Sequence, residues 1–477
     1  MVILMIGTGI FLTFLTKGVI FTKFNVVMRY TTKTLFRKVD KSQMEEGAIT
    51  PFQAVCTALA ATIGVGNIAG VAAAITGGGP GAVFWMWLAA FFGMMTNFSE
   101  NVLGIYYRRK NSKGEWAGGA MYYLRDGLGK RYGKKWLSPI AKVLAALFAC
   151  FAILASFGIG NMSQVNSMVS NVENSFGIPT IVTGIFLVIA VGAVVLGGLQ
   201  TIAKVTEKIV PFMVVLYFIG ALIIIISNIS NIPAVFVSIF KGAFAMKSVA
   251  GGIVGAGIAE AMKWGMKRGV FSNEAGLGSS VMVHSNSNVK EPVRQGMWGI
   301  FEVFADTIVV CTLTALTILA SGGVDLQTGA VIADVESSAL TSYSFAQTFG
   351  VVGSSFIAIA ILLFAYSTVL GWSHYGSKAC EYLFGTKAVN VYRVIFVIIV
   401  FAGSVMKAQL AWDLSDTFNG LMMIPNLIGV LVLAPLVFKC TKNYCDRHFR
   451  HLDVEPMLSV YPDIQEEHAE AVKKGSE

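Results

Sequence analysis

An all-α polytopic membrane protein, with about 11 transmembrane helices, is the fold class this sequence predicts, and three observations carry that prediction. Of 477 residues, 55% are hydrophobic and only 13% are charged, where a soluble protein carries roughly 25% charged residues. Apolar windows long enough to span a bilayer recur along the chain, and the mean hydropathy is +0.68. Basic residues collect in alternate loops, as cytoplasmic loops of membrane proteins do.

The windows predict a leading helix at 2–22 and ten further crossings at 52–76, 80–107, 138–170, 178–199, 205–228, 255–285, 294–320, 345–384, 389–406 and 415–438. The ranges 138–170 and 345–384 exceed one bilayer thickness and are expected to tilt or to extend into water. The stretch 1–21 lacks a basic leader and is expected to be a retained helix rather than a signal peptide. The piece 231–246, amphipathic and holding Pro233 and Lys241, reads as an extracellular interfacial helix.

Counting crossings assigns the basic loops to one side: Lys23, Arg29, Lys33, Arg37, Lys38 and Lys41 after the leading helix, then Arg108 to Lys135, Lys290 and Arg294, Lys387 and Arg393, and the tail from Lys439 onward. The loop 321–344, with Asp325, Asp334 and Glu336 and no Lys or Arg, lies opposite. The expected orientation in the cell membrane is N-terminus outside and C-terminus cytoplasmic. The net charge of +9 follows from these loops and argues for a lipid bilayer, not nucleic acid, as the surface met. The six cysteines are scattered, with neither a disulfide framework nor a zinc spacing. No nucleophile–base set, phosphate loop or redox pair is present, so the chain is not expected to be an enzyme.

Two crossings are broken. The first carries Gly64, Gly66 and Asn67 near its midpoint, where glycine weakens the helix and frees backbone groups that must find a partner or line a polar cavity. The second arises because 249–262 is too short to span alone; completing the crossing through 271–284 places Ser272, Asn273, Glu274, Gly276 and Gly278 at membrane depth. The competing reading ends that helix at Met262. Lys263, Lys267 and Arg268 would then be loop residues; in a completed crossing they would face a watery vestibule. Counted from the crossing at 52, the breaks fall in crossings one and six. Five crossings separate them, an odd repeat that inverts the second half, and paired broken helices in inverted repeats point to a secondary transporter with a midplane site. The expected organisation is a leading helix and basic loop (1–51), a first repeat of five helices (52–228), an extracellular interfacial segment (229–254), a second repeat (255–438) and a cytoplasmic tail (439–477).

Several side chains invite function from their position alone. Glu274, Glu302 and Asp306 are intramembrane acids. Glu302 and Asp306, four apart, share a helix face and could serve sodium, a proton, or an ion pair with Arg268 or Lys267, a structural or gating pair being preferred. Phe157, Asn161 and Gln164 have the spacing of one face; Gln164 requires a hydrogen-bond partner, from substrate or from another helix. Glu100 and Lys378, near cytoplasmic ends, read as snorkelling or inner-gate residues.

The strings GVGN (64–67), GGGPGAVF (77–84), RGVFSNEAGLGSS (268–280) and YSTVLGWSHYGSKACEYLFG (366–385) resemble the sodium:alanine (alanine/glycine:cation) symporter family over about residues 50–440. The resemblance implies a LeuT-like 5+5 inverted-repeat fold and sodium-coupled, occasionally proton-coupled, symport of a small neutral amino acid, alanine or glycine. It implies one Na+ between the carbonyls of Ala60 and Ile63 and the hydroxyls of Ser367 and Thr368, for which helix back-bonding is the alternative. A second Na+ would use Asn67, the Thr62 carbonyl and Ser272. For a zwitterionic substrate, amides around Gly64, Gly66 and Asn67 are candidate carboxylate donors, and freed carbonyls of Phe271, Ser272 and Asn273 candidate ammonium acceptors. Trp372, one turn beyond Thr368, either narrows the pocket or packs against a neighbour. An uncoupled amino-acid channel or sensor is the rival of another class.

Overall fold

The computed structural model describes residues 2–35, 44, 47–129, 136–244, 256–333, 335 and 339–473. Arg37, Lys38, Lys41, Lys130, Arg131, Lys134, Lys135, Asp334, Glu336 and the stretch 245–255 fall outside them. In chain order the helices are α1 (Val2–Leu15), α2 (Val19–Thr22), α3 (Phe24–Leu35), α4 (Pro51–Thr62), α5 (Val71–Gly78), α6 (Gly81–Tyr106), α7 (Ala120–Tyr122), α8 (Leu137–Phe157), α9 (Ser163–Phe176), α10 (Thr180–Val195) and α11 (Gly198–Ser227). There follow α12 (Ile232–Phe244), α13 (Ala256–Asn273), α14 (Val281–His284), α15 (Pro292–Val303), α16 (Thr312–Ala320), α17 (Leu340–Phe349), α18 (Val351–Phe384), α19 (Ala388–Val405), α20 (Ala408–His448) and α21 (Pro462–Lys473). A two-stranded hairpin pairs β1 (Arg109–Lys110) with β2 (Trp116–Ala117).

Among the described residues seven helical stretches are long and apolar enough to cross a membrane, and the bent pair α4–α5 makes an eighth. The surface supports that reading. Ile181, Ile185, Phe186 and Ile189 of α10 and Phe212, Val215 and Ile219 of α11 are exposed, while Asn67, Ser272 and Asp306 are fully buried. Large apolar side chains facing outward while polar groups lie buried suit a lipid surround.

Local sequence sets where helices begin and fail. Thr50 caps α4 through a reciprocal pair with Gln53, and Pro51 takes the first turn, where its missing N–H costs nothing. Ile63 then leaves the helix with extended dihedrals, a π-turn runs over Gly66–Gly70, and α5 departs at 50° to α4. The second crossing continues as helix through Asn273, so the reading that ended it at Met262 is overturned: Lys263, Lys267 and Arg268 are helical. It unwinds over 274–280 and resumes as α14. Gly350, in positive φ, divides the expected 345–384 crossing into α17 and a 34-residue α18. The piece predicted at 231–246 forms a helix, α12.

The core forms where helices approach closely. α6 lies against both α13 and α15. α18 crosses α4 with Gly371 on Ala61, where a Cβ would stand 2.7 Å from the alanine Cβ. Beyond α20 the tail folds back: Arg447 and His448 bond Glu291, and α21 buries Ile464 and His468, with Ile464 packed beside Ala48 and Trp116. Burial alone would raise the Glu291 carboxyl; the bonds from His448 and Arg447 outweigh it and hold it below the usual carboxylate range. Gly371→Val is expected to lose about 1–3 kcal/mol from overpacking, read as a lowered melting temperature in detergent; an unchanged melt would show the α4–α18 contact to be loose.

Candidate functional site

The first break leaves its backbone groups to neighbours. The Gly64 N–H donates to Asn67 Oδ1 at 2.9 Å, and the Val65 N–H donates to Gln164 Oε1 at 3.1 Å. Gly66 lies where the two broken helices cross: a Cβ there would stand 3.2 Å from Ser272 Cα and from the Phe271 ring. Only glycine fits at that separation without displacing a neighbour.

On the opposite side of the break, Thr368 Oγ1 is 3.0 Å from the Ala60 carbonyl oxygen and 3.4 Å from that of Ile63, and Ser367 Oγ is 3.3 Å from Ala60 O. Both hydroxyls also donate back to Phe364 O within α18. The back-bonding posed above as the alternative to cation ligation is present, and the same hydroxyls also lie near the carbonyls of the first break. Two carbonyls and two hydroxyls thus converge, a neutral oxygen set suited to a hard monovalent cation.

Asn67, Ser272 and Asp306 form the second cluster. Asn67 Nδ2 donates to Asp306 Oδ1 at 2.6 Å, and Ser272 Oγ donates to Asp306 Oδ2 at 2.8 Å. Thr307 Oγ1 donates to the same oxygen at 2.7 Å. Among the described residues the carboxylate meets neutral donors and no Lys or Arg. A buried carboxylate so placed calls for a proton or a cation. Sequence reasoning placed Asn67 and Ser272 together but missed Asp306 as the group that joins them. The Asn67 oxygen expected to face a cation is turned to Gly64, and Thr62 Oγ1 bonds back to Ala58 O at 3.2 Å. No cluster of three or more His, Cys, Asp or Glu able to hold a metal occurs among the described residues, so a cation here would rest on carbonyls, hydroxyls and one carboxylate.

The second break has its own supports. Glu274 sits at φ +57 with its carboxylate between Trp372 Nε1 (2.6 Å) and Ser279 Oγ (2.5 Å). Trp372 therefore ties α18 to the unwound segment, and its ring lies against Gly160. Asn273 donates to Thr307 Oγ1 at 3.1 Å while its oxygen accepts the Ala275 N–H at 3.0 Å. Gly276, in positive φ, gives its carbonyl to Asn426 Nδ2 at 2.8 Å, and Glu100 takes the same amide at 2.5 Å. Phe271 packs on Trp412, ring centroids 4.9 Å apart, closing the crossing point on one side.

Several expectations are corrected. Glu302 and Asp306 do not act as a pair, and Lys267 and Arg268 reach Asp416 instead, at 2.7 and 3.6 Å. A π-turn over Phe304–Cys311 shifts the helical register behind Glu302, which bonds His284 at 3.1 Å and Asn97 at 3.2 Å. A second π-turn, Gly158–Met162, does the same to the face predicted for Phe157, Asn161 and Gln164. Phe157 stacks on Tyr392 and Asn161 bonds Phe396 O, both on α19; only Gln164 reaches the break. Glu100 and Lys378 do not snorkel: both are buried, Glu100 on Asn426 and Lys378 on Glu381 and Trp116 O.

Two discontinuous helices crossing at a buried polar junction, beside an oxygen set on a third helix, define a LeuT-fold secondary transporter. Solved structures agree on the fold: MhsT in complex with L-phenylalanine superposes with TM-score 0.54 at 12% identity, over 84% of this chain and 99% of that one. A substrate-bound outward-open Na+-coupled sialic acid symporter superposes with TM-score 0.53 at 13% identity, over 95% and 96%. The chain belongs to the sodium:alanine symporter family, whose sequence profile matches residues 1–456. The sodium/alanine symporter AgcS of Methanococcus maripaludis is 45% identical over 444 residues, 93% of this chain and 94% of the relative. The family is one of sodium-coupled amino-acid symporters, multi-pass membrane proteins and not enzymes.

Asp306→Asn keeps the side chain's shape and an acceptor for Ser272 and Thr307 while removing the charge. Its expected effect is a rise of about tenfold or more in the sodium concentration for half-maximal activity, with little change in melting temperature. A sodium titration superposing on the wild type would exclude Asp306 from cation binding.

Proposed function

We propose that the protein couples inward sodium movement to uptake of a small neutral amino acid, alanine or glycine, by alternating access, with its N-terminus outside and its C-terminus cytoplasmic. The observation that carries this reading is the meeting of both broken helices at one buried junction, Gly66 against Ser272, with hydroxyls of α18 on the carbonyls of the first break. A zwitterion entering there would exchange with groups already paired. Its carboxylate would take over the N–H groups of Gly64 and Val65 from Asn67 and Gln164, and its ammonium would meet carbonyls at the end of α13, Phe271 to Asn273. One sodium would sit among Ala60, Ile63, Ser367 and Thr368. A second would sit among Asn67, Ser272, the Thr62 carbonyl and the Asp306 carboxylate. The two breaks are taken as equivalent positions of inverted five-helix repeats, 52–228 and 255–438.

Trp372, one turn beyond Thr368 on α18, would exclude a long substrate side chain by its bulk. Asp306, met by neutral donors among the described residues, also favours a second reading, in which a proton replaces one sodium as the coupling ion.

Sodium-gradient-driven accumulation of labelled alanine or glycine in proteoliposomes is the expected result; absence of accumulation would reject symport, and equal uptake under a proton gradient without sodium would select the proton reading. Thr368→Val should weaken sodium dependence by about tenfold while leaving the folded fraction near that of the wild type, and an unaltered sodium dose-response would move the site elsewhere. Trp372→Ala should admit larger side chains in competition assays; an unaltered profile would return the indole to packing against Gly160 and Glu274.

A further inference from the structure

A second polar space lies apart from the midplane. A cavity of ≈ 210 Å³ sits between the start of α11, the end of α18, the start of α19 and the β1–β2 hairpin, on the side of the basic loops. One wall is internally satisfied. Lys378 and Glu381 form an ion pair at 3.0 Å, 8% and 9% exposed. Asn111 Nδ2 links Glu381, at 2.8 Å, to Glu115, at 3.3 Å.

Arg393 lines the same cavity and is different. Its guanidinium has no hydrogen-bond or ion-pair partner among the described residues, and its Nε is buried without an acceptor. Glu115 and Glu381 attract it only through space. The turn before α11 is shaped around it: Gly198 has φ +74, and a Cβ there would stand 2.9 Å from Arg393 Nη2. A half-buried guanidinium held open in this way is costly unless an anion comes to it.

We propose that this cavity is a second, weak binding site for the zwitterionic amino acid, with the substrate carboxylate on Arg393 and its ammonium toward Glu115 and Glu381. The proposal rests on the transport reading above and assigns the cavity as a staging point on the release path. Position supports it. The cavity is lined by Asn286, just beyond α14 of the second broken helix, and by His374 of α18, which touch at 3.4 Å. Lys378 lies ten residues beyond Thr368 on α18, about 15 Å along the helix axis, so cation site and cavity are successive stations on one helix. The volume matches about seven waters at ~30 Å³ each, room for the six heavy atoms of alanine with water to spare. Lys113, Lys378 and Arg393 against Glu115 and Glu381 leave one net positive charge in the lining, which favours a ligand bearing a carboxylate over a plain amine. Contact with water keeps affinity low, as a site for departing cargo requires.

Equilibrium dialysis of labelled alanine against the purified full-length chain, with and without sodium, tests this. The wild type should bind at two sites, one sodium-dependent and one weak and sodium-independent. Arg393→Gln should weaken the second at least about tenfold, Arg393→Lys should restore part of it, and the sodium-dependent site should be unchanged in both. Thr368→Val should do the reverse. Lys113→Gln, on the exposed rim, gives a variant expected to fold in any case and should weaken the second site severalfold in a salt-sensitive way. Weak binding unchanged by Arg393→Gln and Lys113→Gln, or a single site in the wild type, would overturn the proposal. Loss of the sodium-dependent site alone in the wild type would overturn the transport reading, and the weak site, measured without sodium, would still stand or fall by itself.

Discussion

A peptide group released from a helix inside a bilayer has no water to turn to, and the whole site follows from that constraint. The Gly64 N–H is answered within its own turn by Asn67, and other groups freed at the two breaks are answered by side chains from other helices: Val65 by Gln164, Ala60 by Thr368, Gly276 by Asn426. These partners come from α9, α18 and α20, so the breaks cannot exist without the bundle. The same groups are those a zwitterion and a hard cation need. Exchanging a protein hydrogen bond for a ligand hydrogen bond changes little in free energy, which suits a carrier that must release what it binds.

Asp306, Glu274, Glu302 and Glu100 have the same chemistry and unlike surroundings. Asp306 is met by neutral donors at the crossing point, while Glu274 is held by an indole and a hydroxyl in the unwound stretch. Glu302 faces His284, and Glu100 faces the amide that also supports Gly276. Among the described residues, Asp306 is the acid at the junction of both broken helices, where Asn67, Ser272 and Thr307 bond it. Glu274 and Glu100, by contrast, bond groups that hold the unwound stretch in shape.

Much of this was legible in the residues. Composition and loop charge gave a helical membrane protein, and glycines with an asparagine or serine inside apolar windows marked both breaks. The hydroxyls of Ser367 and Thr368, picked out by the resemblance, lie close to the Ala60 carbonyl. What failed was helical arithmetic across irregular turns. Phe157 with Gln164, and Glu302 with Asp306, were assigned to common faces by 3.6-residue spacing, and a π-turn in each helix rotated one partner away. The extra residue in such a turn leaves no mark in a hydrophobic pattern.

The sequence by itself determined that the chain is membrane-embedded, where its helices must break and which family it resembles, because hydrophobicity and glycine placement act locally and add up along the chain. Only the tertiary structure decided that Asp306 joins Asn67 to Ser272, that Trp372 holds Glu274 and that Arg268 turns to Asp416. Those pairings span tens to hundreds of residues. They depend on helix rotation and close approach, and packing of the whole bundle fixes both.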